Sequence, residues 1–172
     1  MKEKSGSAFV ACAAVLVIIC TACTRQAPPE QHAATAAEKP GPCDLLTPGQ
    51  VQTVLPGASA GMTTHSGASL VEGIDAYQCS YVNPTGEVLT VILNVARTPD
   101  RLAEIAPGSA VRENRRRVDI AQEGWLSTSA DEVKIKAVKG LTVFDIDLLA
   151  TDASDREAQL MELARTLAVR IQ

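Results

Sequence analysis

Aromatic residues make up only 3% of this 172-residue chain, and it holds just two histidines. With so few rings, a core must be assembled from Leu, Ile, Val and Ala, and imidazole chemistry has little to work with. No G-x-S-x-G, no HExxH and no glycine-rich phosphate loop occurs. Their absence removes the usual signs of serine hydrolases, zinc proteases and nucleotide-binding loops. No apolar run approaches the roughly 20 residues that cross a bilayer. A basic excess is missing too: the formal net charge is −4, so nothing draws the chain toward nucleic acid, and no nucleic-acid partner is expected.

What is present begins with an export signal. Lys2 and Lys4 give a positive start, Phe9 to Cys20 is an unbroken run of 12 apolar residues, and Thr21-Ala22 supplies small residues before Cys23. Cys20-Thr21-Ala22-Cys23 resembles the bacterial lipobox, in which a Cys after a small residue receives diacylglycerol and becomes the first mature residue. Cys20 stands where that pattern usually has Leu. Cys20 itself follows the bulky Ile19, and Cys12 lies inside the apolar run, so Cys23 is the expected lipidation site. An uncleaved anchor and a released soluble protein are the rival readings. Two acyl chains suffice for stable anchoring, each buried methylene contributing about 0.8 kcal/mol.

Residues 1–22 are therefore expected to be a signal peptide, and residues 23–42 a lipidated Cys followed by a disordered linker. The stretch from 24 to 42, rich in Pro, Ala and polar residues, lacks apolar periodicity and includes His32. Such a segment cannot offset its ordering entropy, and 19 flexible residues span about 25 Å. Residues 43–172 are expected to fold as an α+β domain. Removal of the signal leaves 150 residues and a net charge of −5, ample for one ordinary core.

After processing and lipidation only Cys43 and Cys79 of the five cysteines remain. An even pair in an exported domain is most simply a disulfide, here closing a loop rated at about 3–4 kcal/mol. A reactive or metal-binding thiol pair is the alternative. It has little support, because the two are not spaced as CxxC and histidine is scarce.

Thr47-Pro48-Gly49-Gln50 reads as a helix start, with Thr47 as N-cap, Pro48 first in the helix, Gln50 completing a capping box and Leu46 with Val51 as a hydrophobic staple. Val51, Val54 and Leu55 form its apolar face, and Pro56-Gly57 ends it. Residues 76–82 and 87–96 predict an antiparallel hairpin around an Asn83-Pro84-Thr85-Gly86 turn, the second strand apolar on nearly both faces. Thr98-Pro99-Asp100 predicts a short helix with Leu102, Ile105 and Ala106. Residues 109–123 read as loop with a possible helical turn, and 124–129 as a strand carrying Trp125.

The stretches 131–139 and 141–150 predict a second hairpin. A Lys139-Gly140 turn would set Ile135 opposite Phe144, Val133 opposite Ile146 and Lys134 opposite Asp145, with Glu132 mismatched against Asp147. Ser154-x-x-Glu157 reads as a capping box opening a final amphipathic helix with Leu160, Leu163, Ala164, Leu167, Ala168 and Ile171. The expected architecture is a single layered α+β domain. A mainly antiparallel sheet is packed by a short N-terminal helix and a C-terminal amphipathic helix.

Few residues suggest chemistry. His65 reads as a solvated loop residue, since an adjacent Ser rarely supplies nucleophile-to-base geometry. Asp145 and Asp147 alternate on a strand and read as a solvated cross-strand ion-pair set, with no reason for a raised pKa. Arg112, Arg115, Arg116 and Arg117 form the dense basic cluster of an acidic chain. The bland reading is a solvated face; the sharper one is a docking patch for anionic lipid headgroups or cell-wall polymer, because Arg binds phosphate bidentately. Trp125 stands near enough to flank that patch but, as the only tryptophan, reads as partly buried core.

Pro42-Cys43-Asp44-Leu45-Leu46-Thr47-Pro48, followed by a helix and then Cys79-Ser80-Tyr81, resembles a family of actinobacterial secreted lipoproteins with a domain of unknown function. The resemblance spans residues 42–172 in organisation. Where members carry a Gly-Asp-x-Ala-like stretch, this chain has Gln122-Glu123-Gly124-Trp125. It implies an extracytoplasmic, lipid-anchored protein and a layered fold like that of the photosystem oxygen-evolving PsbP subunit and a Ran-binding protein, but no mechanism. The expectation is a non-catalytic binding or accessory module held at the membrane through Cys23, with an envelope protein, lipid or cell-wall polymer as partner. No cofactor or metal is expected. The alternative is an enzyme acting on the cell envelope.

Overall fold

The computed structural model describes residues 41–106 and 115–172. The expected signal peptide, Cys23 and nearly all of the linker lie outside the described residues, as does Arg112. The architecture is α+β, as the hydrophobic patterning predicts. Among the described residues seven strands form one antiparallel sheet: β1 (Met62–Ala68), β2 (Ile74–Val82), β3 (Val88–Ala96), β4 (Arg115–Arg117), β5 (Glu123–Thr128), β6 (Glu132–Lys139) and β7 (Thr142–Leu149). The helices among the described residues are α1 (Pro48–Val54), α2 (Pro99–Ile105) and α3 (Glu157–Arg170), the last preceded by a 3-10 turn at Ala153–Arg156.

The spatial order is β1-β2-β3-β7-β6-β5-β4. Two meanders, β1 to β3 and β4 to β7, each start at an outer edge and finish at the centre, where β3 pairs antiparallel with β7. Each of these two strands is paired on both sides, and β3, apolar on nearly both faces, suits that central place. α1 and α3 form a helical layer against one face, and α2 lies against β3 and β7. Among the described residues no helix is long and apolar enough to cross a membrane.

Local signals explain α1 closely. Thr47 caps the helix by accepting from the Gln50 N–H at 3.4 Å, and the Gln50 side chain accepts from the Thr47 N–H at 2.9 Å. Leu46, Val51, Val54 and Leu55 are buried. Cys43, just before this helix, is disulfide-bonded to Cys79 in β2 (S–S 2.02 Å), which staples the helical layer to the sheet. Gly61 passes so close to that bridge that an added Cβ would meet the Tyr81 ring at 2.5 Å and Cys79 Sγ at 2.8 Å. The Asn83 turn forms as its sequence predicts. Asn83 Oδ1 accepts from the Thr85 and Glu87 N–H groups, and Nδ2 donates to Glu87 Oε2 at 2.8 Å.

Four expectations need correction. The late hairpin turns on Gly140-Leu141, so that Lys139 pairs with Thr142, Ile135 with Ile146, Lys136 with Asp145 and Lys134 with Asp147. Gly140 takes φ +58°, the left-handed conformation that a two-residue type II′ loop needs at its first position. The shift is two residues, which preserves every side chain's face. It also removes the Glu132–Asp147 mismatch.

The second correction concerns residues 109–123, where Arg115–Arg117 form an edge strand rather than loop or helix. The third is an additional strand, β1, in a segment without apolar alternation. Its ladder comes from pairing with β2, interrupted by a bulge between Thr63 and His65. The fourth is the capping box at Ser154, which does not form: no side-chain cap bond opens the 3-10 turn or α3. Glu157 is engaged elsewhere, pairing with Arg116 and accepting from Thr128 Oγ1. The apolar stripe of α3 is as expected, with Leu160, Leu163, Ala164, Leu167, Ala168 and Ile171 all buried.

Candidate functional site

Strand alternation gives the sheet two unlike faces. Directly opposed residues share a face, so the register assigns each side chain. On the helix-covered face, Leu126, Ile135, Ile146, Val91 and Cys79 follow one another across five strands, and all are buried. On the other face two rows run in parallel. One is Arg117, Trp125, Lys136, Asp145 and Ile92; the other is Arg115, Ser127, Lys134, Asp147 and Thr90.

This alternation divides the arginine cluster. Arg115 and Arg117 belong to the open face, while Arg116 lies on the helix-covered side and pairs with Glu157 at the start of α3. Arg116 thus fastens an edge strand to a helix. Arg115 and Arg117 are exposed and have no ion-pair partner among the described residues. The four-residue patch is therefore reduced to two cations on the open face, of which Arg115 lies close enough to Asp145 to pull its pKa down against the rise that burial causes, with Arg112 outside the described residues.

The rest of the open face is charged and internally paired. Lys134 Nζ lies 2.9 Å from Asp147 Oδ2 and 2.8 Å from Glu132 Oε1, and Lys136 Nζ lies 3.4 Å from Asp145 Oδ1. These pairs are less solvated than the spacing alone suggests, since the side chains of Asp145 and Asp147 are 14% and 21% exposed. Burial, the dominant cause, raises both carboxyl pKa values above 3.8, against the pull of Lys136 and Lys134 respectively. This overturns the expectation that nothing would shift them. Asp147 Oδ1 is buried without a hydrogen-bond partner among the described residues. Burial draws the Lys134 ammonium down, but its bonds to Glu132 and Asp147 outweigh that, and its pKa is raised.

Between the rows lies a cleft of about 160 Å³ lined by Arg115, Trp125, Ser127, Lys134, Lys136 and Asp145. Trp125 is half-buried there and stands apart from the apolar core it was expected to join. Ser127 opposes Lys134 directly, which invites comparison with a serine nucleophile and lysine base. The chemistry argues against it. A lysine base must lose its proton near neutral pH, whereas Lys134 holds two carboxylates and a raised pKa. The arrangement suits binding: an aromatic surface, hydroxyl and ammonium donors, a carboxylate acceptor and the guanidinium of Arg115.

His65 lies exposed on the edge strand β1, rather than in a loop. No cluster of three or more His, Cys, Asp or Glu side chains able to hold a metal occurs among the described residues. Two further hollows lie on the helix-covered side. One, about 150 Å³, opens at the end of α3 between Leu45, Leu93, Val95 and Ile171, where Arg170 Nη1 donates to the Leu45 carbonyl at 2.6 Å. The other, about 400 Å³, lies beside the disulfide between Leu46, Val51, Ala58 and Tyr81. Burial foremost, and then Asp44, raises the Tyr81 phenol above its ordinary value.

A second group of buried charges has a structural role. Arg156 binds Glu87 at 3.1 and 3.2 Å, donates to the Val54 carbonyl at 3.2 Å and pairs with Asp152. It thereby ties the 3-10 turn to α1 and to the segment that enters β3.

The class that emerges is an α+β protein in which one face of an antiparallel sheet is sealed by helices and the other presents a charged cleft. Compared with protein-family models, curated proteins and solved structures, the chain matches none.

Proposed function

We propose that this chain is an exported lipoprotein, anchored to the extracytoplasmic face of the membrane through Cys23, whose domain captures a component of the cell envelope on the open face of its sheet without catalysing a reaction. The carrying observation is the cleft between Arg115, Trp125, Lys136 and Asp145, which combines one guanidinium outside any ion pair among the described residues and an aromatic ring with no competent nucleophile–base pair. The Cys43–Cys79 disulfide supports an oxidising compartment. The lipobox-like Cys20-Thr21-Ala22-Cys23 supports the anchor, and the Cys-Asp-Leu-Leu-Thr opening supports kinship with the actinobacterial lipoproteins it resembles.

A wall polymer fits this face better than a lipid surface. Polybasic lipid-binding segments carry roughly four to eight Lys or Arg, each contributing about 1 kcal/mol near an anionic leaflet. The open face offers two unpaired arginines, Arg115 and Arg117, and its lysines are already neutralised by carboxylates.

Two measurements test the reading. Mass spectrometry of the membrane-extracted protein should find Cys23 as an acylated amino terminus; an unprocessed chain or a free thiol there removes the anchor. Cosedimentation with purified cell-wall sacculi at low salt should retain the wild type, whereas Arg115→Ala/Arg117→Ala should stay in solution. Equal retention of both would remove the open face from the proposal. Recovery of one stoichiometric protein after crosslinking would make the chain an accessory subunit instead.

A further inference from the structure

We infer that the open-face cleft is a subsite for one anionic sugar unit: a pyranose ring bearing a single carboxylate or phosphate. The inference rests on the binding-face reading above and adds the chemistry of the ligand.

Size sets the first limit. A cleft of about 160 Å³ holds about five waters' worth of volume, at roughly 30 Å³ each. That is below the roughly 300–1,000 Å³ of pockets that enclose a whole small molecule, so it suits one ring of a longer chain lying on the sheet.

Charge sets the second. The two rows carry four cations (Arg115, Arg117, Lys134 and Lys136) against two acids, Asp145 and Asp147. Glu132 adds a third acid by bonding Lys134. Glu123, two residues before Trp125 on the same face, adds a fourth, so the strand charges of this face sum to zero. The positive charge outside any ion pair among the described residues is local to the β4 arginines, because the lysines already have partners. A single anionic group is matched locally at this arginine edge; a densely charged polyanion would meet Asp145 and Asp147. Arg115 lines the cleft and can bind a carboxylate or phosphate through two parallel N–H donors.

Polarity sets the third. Trp125 offers a half-exposed aromatic face, on which the C–H side of a sugar ring can lie while its hydroxyls point outward. Around it stand Ser127, which both donates and accepts, Lys136, which donates, and Asp145, which accepts. This alternation of donors and acceptors matches a polyhydroxylated ring. A bare phosphate or a phosphatidylglycerol headgroup brings few hydroxyl donors and leaves the Asp145 carboxylate facing another anion. The Lys136–Asp145 contact, the longest ion pair of this face at 3.4 Å, can open to admit a hydroxyl between its partners.

Trp125 is the only tryptophan, so indole emission of the intact protein reports this cleft directly. The chain, purified from membranes into nanodiscs of zwitterionic lipid, is titrated with trigalacturonate, glucose 6-phosphate, maltotriose and inorganic phosphate. A second set of nanodiscs contains phosphatidylglycerol. The expected result is a saturable emission change with both anionic sugars, at least tenfold tighter than with maltotriose, and loss of that preference in Arg115→Ala. Asp145→Asn should weaken anionic and neutral sugars alike, and circular dichroism checks that both variants remain folded.

Inorganic phosphate binding as tightly as glucose 6-phosphate would overturn the inference, since the ring would then contribute nothing. A response to phosphatidylglycerol but to no sugar would also overturn it, in favour of a lipid surface. If no sugar binds while sacculi still retain the protein in an Arg115- and Arg117-dependent manner, the ligand class is wrong and the binding face stands. If retention on sacculi is absent as well, both fail.

Discussion

The two faces of this sheet are made by the same strands, and each residue of one is the sequence neighbour of a residue of the other. On the helix-covered face, successive rows are buried and apolar from β2 to β5. On the open face the same strands present Arg, Trp, Lys and Asp in rows at the same spacing. Apolar burial contributes stability roughly in proportion to area and needs no particular partner. Paired charges near a surface contribute little to stability but fix where a ligand of given charge can sit. Stability and recognition are thus assigned to opposite sides of one β-sheet, and substitutions on the two sides should differ in kind.

The largest effect is expected on the sealed side. Phe144→Ala, at a residue with no exposed surface, should cost about 3–5 kcal/mol in urea unfolding. Its counterpart Ile92→Ala, half-buried on the open face, should cost less than about 2 kcal/mol. Equal costs would break the contrast. Next comes the staple between the helical layer and β2. Replacing both Cys43 and Cys79 by Ala should cost about 3–4 kcal/mol, given a sequence separation of 36, and a reductant should produce the same shift in the wild type.

Adjacent arginines give a sharper, smaller comparison. Arg116→Ala, which loses the Glu157 pair, should destabilise by about 1 kcal/mol or less without affecting capture on sacculi. Arg117→Ala should leave stability within about 0.5 kcal/mol yet weaken capture. The smallest effect is in pH dependence. Burial raises folded Asp145 above 3.8, so its contribution to stability is fullest below that value and is lost as pH rises through the raised one. Asp145→Asn should therefore flatten the decline in stability between acid and neutral pH. An unchanged slope in urea titrations at several pH values would show that the carboxyl is not desolvated.

Much of the fold was legible from local patterns because local physics decided it. The Thr47–Gln50 capping box, the Asn83 turn and the apolar stripe of α3 each depend on residues within a few positions of one another. The strand β1 was not legible, since Met62–Ala68 has no apolar alternation and owes its conformation to the exposed backbone of β2. The Ser154 capping box failed for a related reason: Glu157 found better partners in Arg116 and Thr128, far away in the chain.

The candidate site was half visible. Arg115, Arg117, Asp145 and Lys134 drew attention one by one, but Trp125 read as core, and Ser127 gave no signal. A correct register for the late hairpin would have assembled most of it. Gly140 as the first residue of a type II′ loop sets Lys136 against Asp145 and Lys134 against Asp147.

By itself, the sequence determined the α+β class, the helix that opens with Thr47, the pairing of the two cysteines and which strand positions are apolar. Each follows from propensity, periodicity or counting over short separations. Only the tertiary structure decided that β3 meets β7 at the centre, that Arg116 turns from Arg115 and Arg117 to hold α3, and that one tryptophan stands beside a desolvated aspartate in an open cleft. Those outcomes depend on which distant strands pair and in what register. The free energy that selects among registers comes from burying one whole face at once, which no local window of residues contains.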